Sequence, residues 1–179
     1  MGEPKKSRKK FTRPKKSHDK ERIDEEKKIT EEYGLKNKKE IWKAEAAITR
    51  IRSQAKKSIV GEEEGKIKFM NRLIKLGLIK PNSELDDVLG LTLKNWLDRR
   101  LQTIVYKKGL ANTIKHARQL IVHRKVKIKG NRVNIPSYIV KIDEEKEIEI
   151  LKPIKIKKEK SEEENVDWRN CRRKSWRKA

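Results

Sequence analysis

Aromatics, cysteine and long apolar runs are scarce in this 179-residue chain, and acidic residues are far outnumbered by basic ones, which together remove several classes of function. The single cysteine, Cys171, excludes an intrachain disulfide and a cysteine-based zinc site. No apolar run approaches the roughly 20 residues that span a bilayer, so no membrane partner is expected. The basic N-terminus leads into no apolar segment, so no secretory leader is expected and the chain reads as intracellular. Only 34% of the residues are hydrophobic, which limits the core to a modest size. Asp and Glu number 27 against 50 Lys and Arg, for a formal net charge of +23. Self-repulsion at that charge works against compaction. A polyanionic partner relieves it and releases counterions, so binding should be tight and steeply salt-dependent. Parts of the chain are expected to order only on that partner.

Chemistry-bearing clusters are scarce as well. His18, His116 and His123 have no carboxylate or cysteine at metal-ligand spacing, so no metal or other cofactor is expected. Gly61 to Gly65 encloses three glutamates and would repel phosphate, the opposite of a phosphate-cradling loop. Cys171 has basic neighbours but neither a base nor a pocket, and reads as an ordinary thiol. His123 reads as a hydrogen-bond donor or stacking group rather than a catalyst. An enzyme is not expected.

What is present falls into four stretches. Residues 1–20 form an arm with nine Lys or Arg, two acids and two interrupting prolines, suited to lie along phosphates. Residues 21–96 read as helical. A first helix starts at Asp19 and closes at Tyr33-Gly34. Asn37 and Glu40 have the spacing of a capping box, and Ile41, Ala44, Ile48, Ile51, Ala55 and Ile59 follow as one stripe of a long amphipathic helix. After Gly65, Ile67, Met70, Leu73 and Ile74 face inward on another helix ending near Gly77; Ser83 or Thr92 could each cap a further helix, and Leu85 to Leu93 form an apolar connector. Residues 97–151 form a basic module. Residues 152–179 form an extension in which Trp168, Trp176 and six bases without an acid over the last twelve residues suit base stacking and phosphate contact.

From Leu97 to Val140 there are eleven Lys or Arg and one acid, Asp98, read as a local partner that orients the adjoining arginines. Leu97, Leu101, Ile104 and Val105 share one face of a helix closing near Gly109, with Arg99 and Arg100 on its outer side. Thr113 caps a second helix that buries Ile114, Ala117, Leu120 and Ile121 and leaves Lys115, Arg118, Gln119 and His123 outside. The period then alternates: Val126 and Ile128 point one way, and Lys125, Lys127 and Lys129 the other. Lys129-Gly130-Asn131 makes a hairpin. Val133 and Ile135 return, Pro136-Ser137 turns, Tyr138, Val140 and Ile142 continue, and Ile148 and Ile150 suggest a last strand. The class is α+β, with two helices on a small, mainly antiparallel sheet.

Leu97-Asp98-Arg99-Arg100-Leu101, Gly109-Leu110-Ala111, Ala117 to His123, Val126 to Gly130 and Pro136-Ser137-Tyr138 together resemble the RNA-binding domain named after ribosomal protein S-four. Tyr33 to Trp42 and Arg99 to Ala111 extend the resemblance to the archaeal and eukaryotic branch of that small-subunit family, over roughly residues 1–151. The resemblance implies a primary binder of small-subunit ribosomal RNA in the cytoplasmic small ribosomal subunit. That binder nucleates assembly, lies near the region where messenger RNA enters, and contributes to translational accuracy. It implies neighbouring small-subunit proteins as further partners and no homo-oligomer. By position it places RNA contacts at Arg99, Arg100, Thr113, Lys115, Arg118, Gln119, His123 and Lys125. Arg124 adds a charge to them, because many members have His-Gly-His where this chain has His123-Arg124-Lys125. Bacterial relatives often carry an N-terminal cysteine cluster for zinc, which has no counterpart here. Two other readings stay open: an RNA-modifying or RNA-chaperone protein carrying the module as an accessory, and a basic DNA- or chromatin-binding protein.

Overall fold

Asp19 sits in extended backbone just before α1 (Lys20–Glu32), and Gly34, with φ at +56°, closes that helix. The Leu35 N–H donates to the Thr30 carbonyl and the Gly34 N–H to that of Glu31, a Schellman closure. A β-carbon on Gly34 would lie 2.9 Å from Ile114 Cγ2, so the glycine serves both the backbone turn and a close approach to a later helix. The computed structural model that shows this describes residue 2 and residues 9–61 and 63–151.

The remaining elements are α2 (Lys38–Val60), α3 (Glu63–Lys75), α4 (Leu85–Leu89), α5 (Leu93–Asp98), α6 (Leu101–Lys107), α7 (Ile114–Val122), β1 (Val126–Ile128), β2 (Asn131–Val133), α8 (Ile142–Glu145) and β3 (Ile148–Ile150). The low apolar content is spent on three small cores. One gathers Tyr33, Leu35, Ile41, Ala44 and Leu97 where α1, α2 and α5 meet. A second gathers Ala55, Phe69, Leu73, Ile79, Leu85, Val88 and Leu91 between α2, α3 and α4. The third lies under α6, α7 and the sheet, with Leu101, Val105, Ala117, Ile121, Val126 and Val140 among its buried members. The sheet order is β2-β1-β3, antiparallel throughout, with Val126 opposite Val133 and Ile150. Lys129 (φ +50°) and Gly130 (φ +77°) form the tight turn between β1 and β2, as the hairpin reading requires.

Several expectations are corrected. Leu97 and Leu101 do not share one helix: the chain breaks at Arg99-Arg100, where Arg100 bridges to Ile139 and the Leu101 N–H donates to the Tyr138 carbonyl. Leu97 belongs to the first core and Leu101 to the third. Within the apolar connector lies α4, preceded by Glu84 rather than Ser83 at its N-cap position, whereas Thr92 does precede a further helix, α5, as expected. On α3 the fully inward residues are Phe69 and Leu73, while Ile67 is exposed. Ile59, at the end of the α2 stripe, is exposed too. The second half of the returning strand is irregular: Ile135 is exposed, and Ile142 lies in α8, also exposed. The last strand, Ile148–Ile150, is present. Apart from residue 2, the basic arm is described from residue 9 onward, and there Phe11 packs on Trp42 with ring centroids 6.0 Å apart. The extension with Trp168, Cys171 and Trp176 lies outside the described residues.

Candidate nucleic-acid interface

Arg100 was expected on an outer helix face, and the structure buries it. As the residue preceding α6 it points inward, 4% exposed, and its Nη2 donates to Glu40 Oε2 at 2.6 Å. Arg118, on α7, donates from Nη2 to Glu40 Oε1 at 2.9 Å and from Nη1 to Gln102 Oε1 at 3.3 Å. The buried Gln102 in turn donates from Nε2 to the carbonyls of Tyr33, Gly34 and Ile114. Burial pushes the Glu40 carboxyl up, but the hydrogen bonds and charges of Arg118 and Arg100 outweigh it and hold the group below its ordinary value. Glu40 therefore does not close a capping box with Asn37, whose side chain caps nothing. Instead it ties α2 to α6 and α7.

Arg99 is also turned to the protein. Its Nη1 meets Glu145 Oε2 at 2.7 Å, its Nε donates to the Leu76 carbonyl at 3.0 Å, and its Nη2 donates to that of Val140 at 3.0 Å. Asp98 orients neither arginine. It pairs with Lys107 at 3.1 Å and accepts from the Tyr33 hydroxyl at 3.2 Å. Of the predicted contact residues, Arg99 and Arg100 are thus turned into the fold, with Arg100 Nε buried and without a partner among the described residues, and Arg118 is half-buried.

The other predicted residues come together at α7 and its C-terminal end. Thr113 Oγ1 accepts from the His116 N–H at 3.1 Å, which caps α7. Lys115, Gln119 and His123 follow at four-residue spacing and are all exposed, as one helix face demands. Arg124 has φ at +55°, the left-handed position of a second Schellman closure: its N–H donates to the Ile121 carbonyl and that of Lys125 to the Leu120 carbonyl. Arg124 and Lys125 are exposed, and neither they nor Lys115 forms an ion pair among the described residues.

Three cations left out of the predicted set extend this stretch into the hairpin. Lys127 lies between Arg132 on β2 and Glu149 on β3, opposite the buried side of β1, and Lys129 occupies the turn. The like-charge neighbours Lys127 and Arg132 oppose pairing unless an anion sits between them. Their alternation was visible in the sequence, but their register was not. A separate notch of about 380 Å³ beside the Glu40 network is lined by Lys43, Trp96, Arg118 and Ser137 among others. Trp96 and Lys43 there supply an aromatic edge and an ammonium of the kind a nucleotide uses. Lys43 reads in the sequence as part of a basic helix face, but no periodicity brings it beside Trp96, which directly precedes the module. Among the described residues no group of three or more His, Cys, Asp or Glu could hold a metal.

Residues 99–146 match the S4 domain family. A small ribosomal subunit protein uS4 of Ignicoccus hospitalis is 51% identical over 150 residues, covering 81% of this chain and 90% of its own length. The chain belongs to the uS4 family. The uS4 protein of Thermoplasma acidophilum is 46% identical over 152 residues, covering 81% of this chain and 76% of its own. That of Methanothermobacter thermautotrophicus is 41% identical over 163 residues, covering 89% and 95%. The S4 domain begins at the buried arginine pair, and matches of this length reach well beyond it. Ahead of the domain, Glu40 on α2 and the Tyr33 and Gly34 carbonyls are bonded to Arg100, Arg118 and Gln102 within it.

Proposed function

We propose that this protein is a structural component of the small ribosomal subunit that binds small-subunit ribosomal RNA. The observation that carries the reading is the set of exposed cations Lys115, Arg124 and Lys125, without an ion pair among the described residues and held along α7 and at its end on an S4 domain. Membership of a family whose relatives are small ribosomal subunit proteins supplies the particle. In mechanism, Lys115, Arg124 and Lys125 neutralise phosphates, with Lys127, Lys129 and Arg132 extending the footprint. Gln119 and His123 donate to sugar or base edges, and Thr113 fixes the start of the helix that presents them. Arg99, Arg100 and Arg118 act as positioning residues that lock the S4 domain onto the N-terminal helices. Recognition is of folded RNA shape and backbone rather than linear sequence. A binder that holds RNA on a domain locked to its N-terminal helices nucleates subunit assembly, as a single copy beside neighbouring small-subunit proteins. Its contribution to accuracy would be exerted near the region where messenger RNA enters. No bond-making step is assigned to it.

Sedimentation of a cell extract tests the reading. The protein should travel with the small subunit and be released only at high salt. Residence as a free species at physiological salt, with activity on isolated nucleosides, would contradict it and favour the RNA-modifying alternative.

A further inference from the structure

One surface has no place in the cationic interface: the groove between the end of α2, α3 and the turn into α4, which encloses about 750 Å³. Ile59, Ile67, Met70 and Ile74 line it. Ile59 and Ile67 are 55% and 59% exposed, and the adjoining Val60 is 90% exposed. Contiguous apolar side chains left in water are the mark of a contact surface. The polar lining has the opposite sign from the rest of the molecule. Glu63, Glu84 and Asp86 border the groove, with Lys66 as the one lining cation. None of the three carboxylates is ion-paired among the described residues. In a chain of net charge +23 this is a local inversion, and it repels phosphate.

We propose that this groove docks a Lys- or Arg-bearing amphipathic segment of a neighbouring protein in the small subunit. The inference rests on the ribosomal reading above and adds a partner of stated chemistry. Proteins that contact RNA phosphates do so through basic segments, and such a segment complements the acidic rim, while the apolar lining supplies contact area. The fitting segment carries apolar residues three or four apart, flanked by basic ones.

The test places a benzophenone amino acid at Ile67, an exposed position, in the full chain within native small subunits. Photolysis should join it to one peptide of another subunit protein, apolar at helical spacing and net positive. Adding Glu63→Lys and Asp86→Lys, with the circular dichroism unchanged, should lower the yield about tenfold, because like charges would then face each other. An adduct with ribosomal RNA, with residues 152–179 of this chain or with a second copy would overturn the proposal. So would no adduct, or a yield indifferent to the charge reversal. If the chain were missing from the subunit fraction altogether, the ribosomal reading would fail and this inference with it.

Discussion

Gly34, Gly77 and Gly109 take the left-handed position in the Schellman closures of three helices, and in the closure of α7 that position belongs to Arg124. For a residue with a β-carbon this conformation costs about 1 kcal/mol, which glycine avoids. The strain falls on a residue whose exposed guanidinium forms no ion pair among the described residues, so stability and the proposed RNA contact are opposed at one position. Arg124→Gly should raise folding stability by about 1 kcal/mol in thermal denaturation while weakening RNA affinity and lowering its salt slope by about one unit. A variant that lost stability would show that the arginine side chain has a folding role. Glu40 gives the second residue-scale prediction. Its carboxyl is held below the ordinary value of 4.5 by Arg118 and Arg100. The stabilisation is therefore complete above that value, and it is lost as pH falls through the lower folded one. Glu40→Gln should cost about 3 kcal/mol at neutral pH, because Arg100 is left buried without a counter-charge. The difference from wild type should shrink on acidification, and urea titrations at neutral and acid pH measure both. The sequence placed Glu40 in a capping box because the spacing to Asn37 is right for a local bond. Its actual partners lie 60 and 78 residues away, and no periodicity reports on separations of that size.

At the scale of elements, α7 was the most legible. Thr113 caps it, and Ala117, Leu120 and Ile121 are buried as the helical period requires. Ala117 is fully buried where α7 packs on α6, so Ala117→Leu should overpack the contact at a cost of about 2 kcal/mol. An unchanged midpoint in urea would show that the two helices have slack between them. The neighbouring element was misread for an instructive reason. Leu97, Leu101, Ile104 and Val105 keep helical spacing across a break that only tertiary pairing creates, through Arg100 with Ile139 and Leu101 with Tyr138. The break turns both arginines inward and removes them from the surface the pattern assigned to them. Ile135 and Ile142 failed in the opposite sense. Their alternation reads as strand, yet α8 and an exposed loop replace it. The segment lies after β2, at the rim of a three-stranded sheet too small to cover more residues.

For the whole molecule, net charge was the clearest signal, and its distribution was the hidden one. A composition of +23 announces a polyanion. It does not say which cations are spent internally, as Arg99, Arg100 and Arg118 are, and which remain for phosphate. Nor does it reveal that the protein is held by three separate small cores, two of them joined through a polar network at Glu40 and Gln102. The division of cations decides the mechanism, and salt dependence reads it directly. Affinity of the full chain for small-subunit ribosomal RNA should be measured across a range of salt concentrations for wild type and for the triple variant Lys115→Gln, Arg124→Gln, Lys125→Gln. The account predicts a log–log slope shallower by about three in the variant, with its fold intact by circular dichroism. A slope equal to that of wild type would contradict the assignment of these residues to the phosphate-gripping face.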